Sequence, residues 1–461
     1  FTIVNATGSS GINVYSVENV TLNNNTVSGS LAGITVKNSA NTTIINCTIT
    51  GNDWALDVEN SGSVTICGNS ISNNTNGVLL YETDDSVISG NNINDNYYNG
   101  VYIQKGDNNT MENNTIARNG VNSSSQGILL QSSDYNVIKN NTVLDNGFSG
   151  ILLQQSNYNT VGGASDVSNT VSGSDNGILI YDSSFGNLVT GNQITGNDYN
   201  GLWIFVNSEN NTVYKNNISG NQETGLLVFG SNNNNLTGNT VNNNKFNGIV
   251  LTGSNSSTVS ANIVNDNGNT VSFGGIGILL TQNADNNTIS GNQLTGNLWT
   301  NIVLDTTANN NLTANTLNGN TISQQGIYVE NSQNIVINDN VVISNTANGM
   351  DIRNSSNIQI NSNNVSSNGV TGVLFYNSSG STIYNNTFQS NGWTGTNCDS
   401  SNGNTITHNN YINNPGQAYD NSVNSYDNGT SGNYWSDWST TDPRSIDGGA
   451  NVDNHPLTTP F

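Results

Sequence analysis

The sequence predicts an all-β fold: a right-handed parallel β-helix solenoid of about 17 coils with a short C-terminal cap. Two observations support this prediction. A glycine-led repeat recurs along most of the chain, and an asparagine recurs at a fixed place within each repeat. No segment shows helical periodicity. Because every coil of a solenoid stacks on its neighbours, a steady period is its expected signature.

The repeat begins with the pattern Gly-apolar-x-apolar, which predicts a short strand. Between strands lie Asn, Gly, Ser and Asp, the residues that tolerate the left-handed backbone angles of tight bends. Each coil is therefore predicted to alternate short strands and bends. The first residues of the repeats are 22 to 29 positions apart: Gly11, Gly33, Ala55, Gly77, Gly100, Gly127, Gly150, Gly177, Gly201, Gly225, Gly248, Gly277, Asn301, Gly326, Gly349, Gly372 and Gly395.

An asparagine follows an apolar residue by three positions in the second strand of most repeats. Stacked about 4.8 Å apart, these side-chain amides are expected to hydrogen-bond along a column. Such a ladder would satisfy the polar groups of a buried bend, which are otherwise costly to bury. Its predicted members are Asn69, Asn91, Asn114, Asn141, Asn192, Asn216, Asn239, Asn262, Asn292, Asn315, Asn340, Asn363, Asn386 and Asn409.

The pattern stops near residue 412, which predicts a repeat domain of residues 1–412 and a C-terminal cap or docking tail of residues 413–461. All 4 prolines lie in that tail, together with Trp435 and Trp438. A solenoid needs its end covered, because bare strand edges recruit other chains. The chain also opens at Phe1 in mid-repeat, so we expect a processed or trimmed N-terminus.

Composition restricts the possible partners. With 8 Lys+Arg against 31 Asp+Glu, the net charge is −23. No basic stripe is present, so nucleic acid is not an expected partner. No apolar run reaches the roughly 18 residues of a membrane span, so direct membrane insertion is not expected. Many Asn-x-Ser/Thr motifs favour a secreted glycoprotein; candidate sites are Asn24, Asn73, Asn113, Asn217, Asn255, Asn311, Asn385 and Asn428.

Three cysteines in a chain of this length are few and odd in number. Cys47 and Cys67 lie on neighbouring coils but out of register, and Cys398 falls on a core position. We interpret them as buried free thiols, with pairing between chains as the alternative.

The residue two after each repeat start should point outward, because side chains alternate along a strand. From the fourth coil onward this position is almost always apolar or aromatic. A long exposed stripe of this kind usually marks an interface. The alternatives are that the chain covers it with its own loops or tail, that both faces of the strand are buried, or that it forms a sugar cleft. This apolar stripe comprises Leu79, Tyr102, Leu129, Leu152, Leu179, Trp203, Leu227, Val250, Leu279, Val303, Tyr328 and Leu374.

Two further columns carry candidate contacts. Asp84, Asp107 and Asp134 each follow a repeat start by seven residues. Turn chemistry is the first explanation for them, and a Ca²⁺ site is the alternative. Aromatic residues stand two before the repeat start, where they would shield the core, form a protein interface or stack on a glycan; they are Tyr98, Phe148, Tyr199, Phe246, Trp299 and Trp393.

The repeat over residues 11–412 resembles the parallel β-helix repeats of NosD-type and carbohydrate-binding/sugar-hydrolase-type proteins. The segment Gly432-Asn-Tyr-Trp-Ser-Asp-Trp438 looks like the tail that follows such repeats in cell-surface proteins of methanogenic archaea, and Pro456-Leu457 match its ending. NosD itself is implicated in maturing a copper enzyme. The chain has 2 His, 2 Met and 3 scattered Cys, whereas copper sites favour clusters of such ligands, so no copper role is expected.

Catalysis is not expected from this sequence. Lyases of this fold are understood to use an Arg or Lys base beside acid-bound calcium. None of Arg118, Arg353 and Arg444 aligns with a group of acids. The preferred interpretation is a non-enzymatic structural protein outside the cell, such as an S-layer, sheath or filament subunit, that forms a homopolymer without a cofactor. The alternatives are a glycan-binding adhesin and a polysaccharide lyase or hydrolase.

Overall fold

The computed structural model describes residues 1–6, 9–123, 125–163, 168–268, 274–319 and 324–460. The chain forms two compact units, residues 1–235 and 236–461. Both are built from parallel β-strands wound into a right-handed solenoid, so the predicted fold class is confirmed. Nowhere in the described ranges is there a helix that could cross a membrane.

The first unit contains ten coils, and each coil contributes one strand to each of up to three parallel sheets. Sheet I consists of Ser10–Tyr15, Ala32–Lys37, Trp54–Glu59, Asn76–Tyr81, Val101–Gln104, Gln126–Gln131, Ser149–Gln154, Asn176–Tyr181, Leu202–Phe205 and Leu226–Phe229. Sheet II consists of Thr21–Asn23, Thr43–Ile45, Thr65–Cys67, Val87–Ser89, Thr110–Glu112, Val137–Lys139, Thr160–Gly162, Leu188–Thr190 and Thr212–Tyr214. Sheet III consists of Thr2–Val4, Thr26–Ser28, Thr48–Thr50, Ser70–Ser72, Asn92–Asn94, Thr115–Ala117, Thr142–Leu144, Thr170–Ser172, Gln193–Thr195 and Asn217–Ser219.

The second unit repeats this plan over eight coils, and the boundary falls within the strand Asn235–Thr237. Its sheet I strands are Ile249–Thr252, Ile276–Thr281, Thr300–Asp305, Gln325–Glu330, Met350–Arg353, Thr371–Tyr376, Thr394–Asp399 and Gly416–Asp420. Sheet II has Thr258–Ser260, Thr288–Ser290, Asn311–Thr313, Val336–Asn338, Gln359–Asn361, Thr382–Tyr384 and Thr405–Thr407. Sheet III has Thr240–Asn242, Ile263–Asn265, Gln293–Thr295, Thr316–Asn318, Val341–Ile343, Asn364–Ser366, Thr387–Gln389, Asn410–Ile412 and Tyr434–Trp435.

The core of each unit is a narrow column of aliphatic side chains. Inward residues of sheet I stack in register from coil to coil, as Ile128, Ile151 and Ile178 do in the first unit. Apart from Ile3 and Leu22 in the first coil, the middle residue of each three-residue strand in sheets II and III is also buried. Full burial of each Ile, Leu or Val contributes about 1.5–3 kcal/mol. This column explains how a chain with only 33% apolar residues folds.

The glycine that starts most repeats is required by close approach. A Cβ on Gly201 would lie 2.6 Å from the Asn221 side-chain nitrogen and 2.7 Å from the Gly225 carbonyl oxygen. Any larger side chain must therefore displace its neighbours. One repeat starts with Asn301 in place of glycine. Its side chain has a structural role, because its Oδ1 accepts a hydrogen bond of 3.0 Å from Asn297 Nδ2.

The predicted asparagine ladder is confirmed. Asn192 shows its pattern: its Nδ2 donates to the carbonyl of Val161 and to Oδ1 of Asn216, both at 2.9 Å. Its own Oδ1 accepts from Nδ2 of Asn169 at 2.9 Å. Cys47 occupies one position of this column, where its thiol accepts from the backbone N–H of Asn25 at 3.4 Å and its own N–H donates to Asn69.

Three more ladders line the other bends, and the sequence analysis did not identify them. One follows sheet III and links Asn96 to Asn119 and Asn119 to Asn146. The other two lie between sheets I and II. The first of these is a serine ladder, in which the Oγ of Ser156 accepts the backbone N–H of Ser133 in the preceding coil and later serines repeat the contact. The second is built mainly from asparagines that include Asn136, Asn159 and Asn187.

The tail of residues 413–461 adds a further coil before the chain turns back. Gly416–Asp420 pairs in parallel with Thr394–Asp399, and Tyr434–Trp435 pairs with Asn410–Ile412. A short antiparallel pair, Arg444–Ser445 with Val452–Asp453, follows. The Trp435 ring is fully buried against Tyr411, with ring centroids 4.2 Å apart, and its Nε1 donates to Asp453 Oδ2 at 2.8 Å.

The ladder makes a direct stability prediction. Asn192→Ala should lower the free energy of unfolding by at least about 3 kcal/mol, because it leaves several buried donors and acceptors unpaired at roughly 1–3 kcal/mol each. The matched control is Gln193→Ala at the exposed neighbouring position, which should change stability by less than about 0.5 kcal/mol. Urea denaturation followed by circular dichroism measures both, and equal midpoints for the two variants would contradict the ladder's role.

Candidate functional site

The outer face of sheet I in the first unit carries the apolar stripe in register. Leu129, Leu152 and Leu179 lie directly above one another, with Tyr102 before them and Trp203 after them. The expected column is therefore present. Its three leucines, however, are only 3–9% exposed. At these positions the alternative that both faces of the strand are buried is correct, because aromatic neighbours cover the leucines, and the interface stays a prediction.

The covering side chains form a second apolar cluster outside the solenoid core. Tyr102, Phe148, Tyr181, Trp203 and Phe205 pack against the three leucines. The rings also contact each other. Phe205 stacks on Trp203 with centroids 4.8 Å apart and on Tyr181 at 5.7 Å.

Phe229 extends this cluster by one coil: its ring meets Phe205 edge-on at 5.3 Å and is 42% exposed. What faces solvent is thus mainly aromatic. A column of glutamines borders the rings: Gln104 Nε2 donates to Gln131 Oε1 at 3.3 Å, and Gln131 Nε2 donates to Gln154 Oε1 at 3.4 Å.

In the second unit a charged residue interrupts the apolar column on the outer face of sheet I. Val250 and Val303 of the stripe are buried, while Leu279, Tyr328 and Leu374 are half-buried. Asp351 interrupts the apolar column in register between Tyr328 and Leu374 and is fully buried. It forms an ion pair with Arg353 at 2.8 Å. The prediction that Arg353 aligns with no group of acids was wrong, because Arg353 lies in register with Glu330, and Glu330 lies in register with Asp305.

A groove of about 1120 Å³ lies beside the bend between sheets III and I of the first unit. Tyr97 and Tyr98 line it, with ring centroids 4.8 Å apart. Arg118 lines it with Asp95 and Asp145 and donates to both carboxylate oxygens of Asp95 at 2.7 Å, so the prediction that Arg118 aligns with no group of acids was wrong. Because Arg118 and Asp95 are 23 positions apart, only the coil register brings them together. The other carboxylates of the groove are Asp53, Asp145, Asp175 and Asp198.

The groove sets its carboxylates at different acidities. The hydrogen-bonded guanidinium of Arg118 lowers the pKa of Asp95. Burial, followed by the charge of Asp198, raises the pKa of Asp175. Enzymes that use general acid–base catalysis often place two carboxyl groups of different proton affinity in one groove.

A family model described as the right-handed β-helix region matches residues 2–121, 54–218 and 164–317, which together cover more than half of the chain. The chain belongs to the right-handed β-helix family. A second model, described as periplasmic copper-binding protein (NosD), matches residues 267–440, so the NosD-type resemblance is confirmed. No curated protein sequence matches the chain.

Solved β-helix structures are similar to it in fold. The A-module of the mannuronan C-5 epimerase AlgE6 of Azotobacter vinelandii is 15% identical, with 83% of this chain and 91% of that chain covered and a TM-score of 0.40. The Dettilon tailspike protein is 15% identical over 67% and 61%, with a TM-score of 0.42. An alginate lyase of Paenibacillus sp. is 15% identical over 68% and 99%, with a TM-score of 0.37. At these identities the similarity concerns the fold alone.

The soft side chains of this β-helix protein do not fit a copper site. Met350 and Cys398, within the NosD-matched region, are buried in the core, and His408 lies at a bend beside Tyr384. In the ranges that the structure describes, no three His, Cys, Asp or Glu side chains are grouped to hold a metal ion.

The aspartates Asp84, Asp107 and Asp134 accept hydrogen bonds from backbone N–H groups in the bends. Oδ1 of Asp84 accepts the backbone N–H of Asp107 at 2.7 Å, and Asp107 does the same for Asp134. Asp134 in turn accepts the N–H of Asn157 at 2.7 Å. These contacts are the turn chemistry that the sequence favoured, and Ca²⁺ binding by these residues stays a prediction.

The aromatic column two before each repeat start divides by environment. Phe148 is half-buried against the leucines and Tyr98 borders the groove. Tyr199, Trp299 and Trp393 are exposed, whereas Phe246 is half-buried. Core shielding therefore describes Phe148 and Phe246 better than the others, and glycan stacking by the exposed rings stays a prediction.

Five of the predicted glycosylation sites are exposed: Asn24, Asn73, Asn113, Asn385 and Asn428. Asn217, Asn255 and Asn311 are half-buried. The three cysteines are unpaired within the chain, with Cys47 and Cys398 buried and Cys67 half-buried. This agrees with free thiols, and pairing of Cys67 between chains stays a prediction.

The groove predicts a measurable titration. Arg118→Gln removes the cation that stabilises the Asp95 carboxylate, so the pKa of Asp95 should rise towards its ordinary value. Lys139→Gln, which breaks the ion pair with Glu112 on sheet II, should leave it unchanged. Carboxyl ¹³C NMR titration follows both variants. An Asp95 pKa that stays low without Arg118 would show that another group sets it.

Proposed function

We propose that this β-helix protein is a non-enzymatic structural component of a cell surface, such as an S-layer, sheath or extracellular filament. In this proposal it associates with copies of itself through the outer face of sheet I in the first unit, the association face. One observation carries the proposal. Over six coils the twelve outward positions hold no charged residue; they are Tyr102, Leu129, Leu152, Leu179, Trp203, Leu227, Gln104, Gln131, Gln154, Tyr181, Phe205 and Phe229.

The lack of charge matters because the chain carries a net charge of −23. Copies of so acidic a protein repel each other, and contact is least unfavourable where neither surface carries charge. Tyrosine, tryptophan and phenylalanine are also the side chains enriched in protein interfaces. The association face combines both properties.

Several polar groups of the association face already have partners, although Nε1 of Trp203 is buried without one. Tyr102 Oη donates to Gln131 Oε1, and the glutamine amides donate to each other. A sugar chain needs donors and acceptors that are free to fix its hydroxyl groups. A flat apolar partner needs none, which favours a second copy of the same face in an isologous contact.

The size of the association face predicts weak pairing. Six coils at ~4.8 Å and strands of up to six residues at ~3.3 Å give a patch of at most roughly 570 Å². A standard stable interface buries about 800 Å² per partner. We therefore expect association only at high protein concentration or within an array where many contacts act together.

Trp203→Asp with Phe229→Asp should abolish this self-association, because two negative charges then face each other across each contact. The matched control is Tyr135→Asp with Tyr158→Asp, which replaces two exposed, stacked rings of the same unit at a different bend. Sedimentation equilibrium from micromolar to millimolar protein measures all three forms. Native association should also strengthen with added NaCl, because salt screens the repulsion between acidic copies.

Two results would refute the proposal. One is native protein that stays monomeric throughout the concentration range. The other is equal association of the native protein and the Trp203/Phe229 variant.

The groove supports a second candidate, a polysaccharide-active enzyme, because it combines carboxyl groups of raised and lowered pKa with two tyrosines. If this function is correct, Asp175→Asn should abolish release of products from a polysaccharide, whereas Asp182→Asn, on another bend, should not. Absence of product release from the native protein, tested by chromatography on neutral and acidic polysaccharides, would leave the structural function alone.

A further inference from the structure

The outer face of sheet I in the second unit holds a buried ion pair at a position that is apolar in most other coils. Asp351 is 0% exposed and accepts four hydrogen bonds. Gln325 Nε2 donates at 2.9 Å and Asn348 Nδ2 at 3.2 Å. Nε and Nη2 of Arg353 donate at 2.8 and 3.1 Å. The carboxylate is thus fully occupied by protein donors.

Stability alone does not account for this arrangement. Removing a carboxylate from water costs several kcal/mol, and buried ion pairs can often be replaced by apolar residues without loss of stability. Leu374, one coil later in the same column, shows that the fold accepts an aliphatic side chain there. What the ion pair does provide is a guanidinium held in one orientation while its side chain remains 38% exposed.

Hydrogen-bond acceptors stand beside this fixed donor. Asp305, Glu330 and Arg353 occupy successive coils of one outward column. Tyr328 Oη donates to Glu330 Oε2 at 2.8 Å, which orients that carboxylate. Gln325 adds an Oε1 atom that is buried and has no hydrogen-bond partner. Rigid planar donors and acceptors on a sheet are well suited to forming hydrogen bonds with hydroxyl groups.

Aromatic rings flank these polar groups. Trp299 is 38% exposed, and its centroid lies 6.1 Å from the ring of Tyr328. On the other side the Arg353 guanidinium lies 5.8 Å from the ring of Tyr376. A ring with an open face next to fixed polar groups offers both the apolar and the polar contacts that a pyranose presents.

We infer that Trp299, Tyr328, Glu330 and Arg353, oriented by Asp351, form a binding site for a sugar residue of a neutral glycan. Neutral sugars are favoured by charge. Asp351 compensates Arg353, and Glu330 and Asp305 leave an excess of negative charge at the site. Uronic acids and sulfated sugars are therefore repelled. This function is additional to self-association and involves no residue of the association face.

Affinity electrophoresis in gels containing a polysaccharide tests the site. The neutral probes are hydroxyethylcellulose, galactomannan and arabinoxylan, and the anionic probe is polygalacturonate. Native protein should be retarded by at least one neutral probe and not by polygalacturonate. Trp299→Ala and the double variant Asp351→Leu/Arg353→Leu should each weaken that retardation at least tenfold.

Controls separate loss of binding from loss of structure. The double variant should keep the native circular dichroism spectrum and sediment like native protein, although its urea midpoint should fall because the amides of Gln325 and Asn348 lose their acceptor. Glu112→Leu/Lys139→Leu, which removes an ion pair from sheet II, should be retarded normally. Absence of retardation by all neutral probes, stronger retardation by polygalacturonate, or unchanged retardation of a correctly folded double variant would each overturn the inference.

Discussion

Hydrogen bonds between stacked asparagine side chains are the interaction on which this fold depends. The bends of each coil enclose backbone groups that the narrow aliphatic column cannot satisfy. The side-chain NH₂ of an asparagine can donate both to a backbone carbonyl of an adjacent coil and to Oδ1 of the next asparagine in the column. Its own Oδ1 accepts from the asparagine before it, as in the series Asn169, Asn192 and Asn216. Burial of polar side chains then stabilises the fold, because rungs such as Asn192 have a partner above and below.

This division of labour leaves the outer faces free to differ. The ladders and the aliphatic column fix the register, so the outward positions can differ from coil to coil. The first unit uses this freedom for the uncharged association face and for the carboxylate groove. The second unit uses it for the polar cluster around Asp351. A single scaffold therefore supports several surfaces of distinct chemistry.

The sequence predicted the periodic features well, because period is a property of the chain itself. The repeat starts identified nearly all sheet I strands, and the spacing of Asn69, Asn91 and Asn114 identified one ladder correctly. The other ladders were missed because bends vary in length, which hides their columns. The arrangement of surface side chains was harder to predict, because it depends on contacts between residues of different coils. Whether Leu152 is covered depends on ring positions in neighbouring coils, and Arg118 meets Asp95 only through coil register.

Electron microscopy of the native cell surface, without detergent or denaturant, tests the central claim most directly. The account predicts ordered sheets, tubes or fibres in which the Trp203 and Phe229 faces of adjacent copies meet. Copies that remain separate, or an array whose contacts leave this face open to solvent, would contradict it.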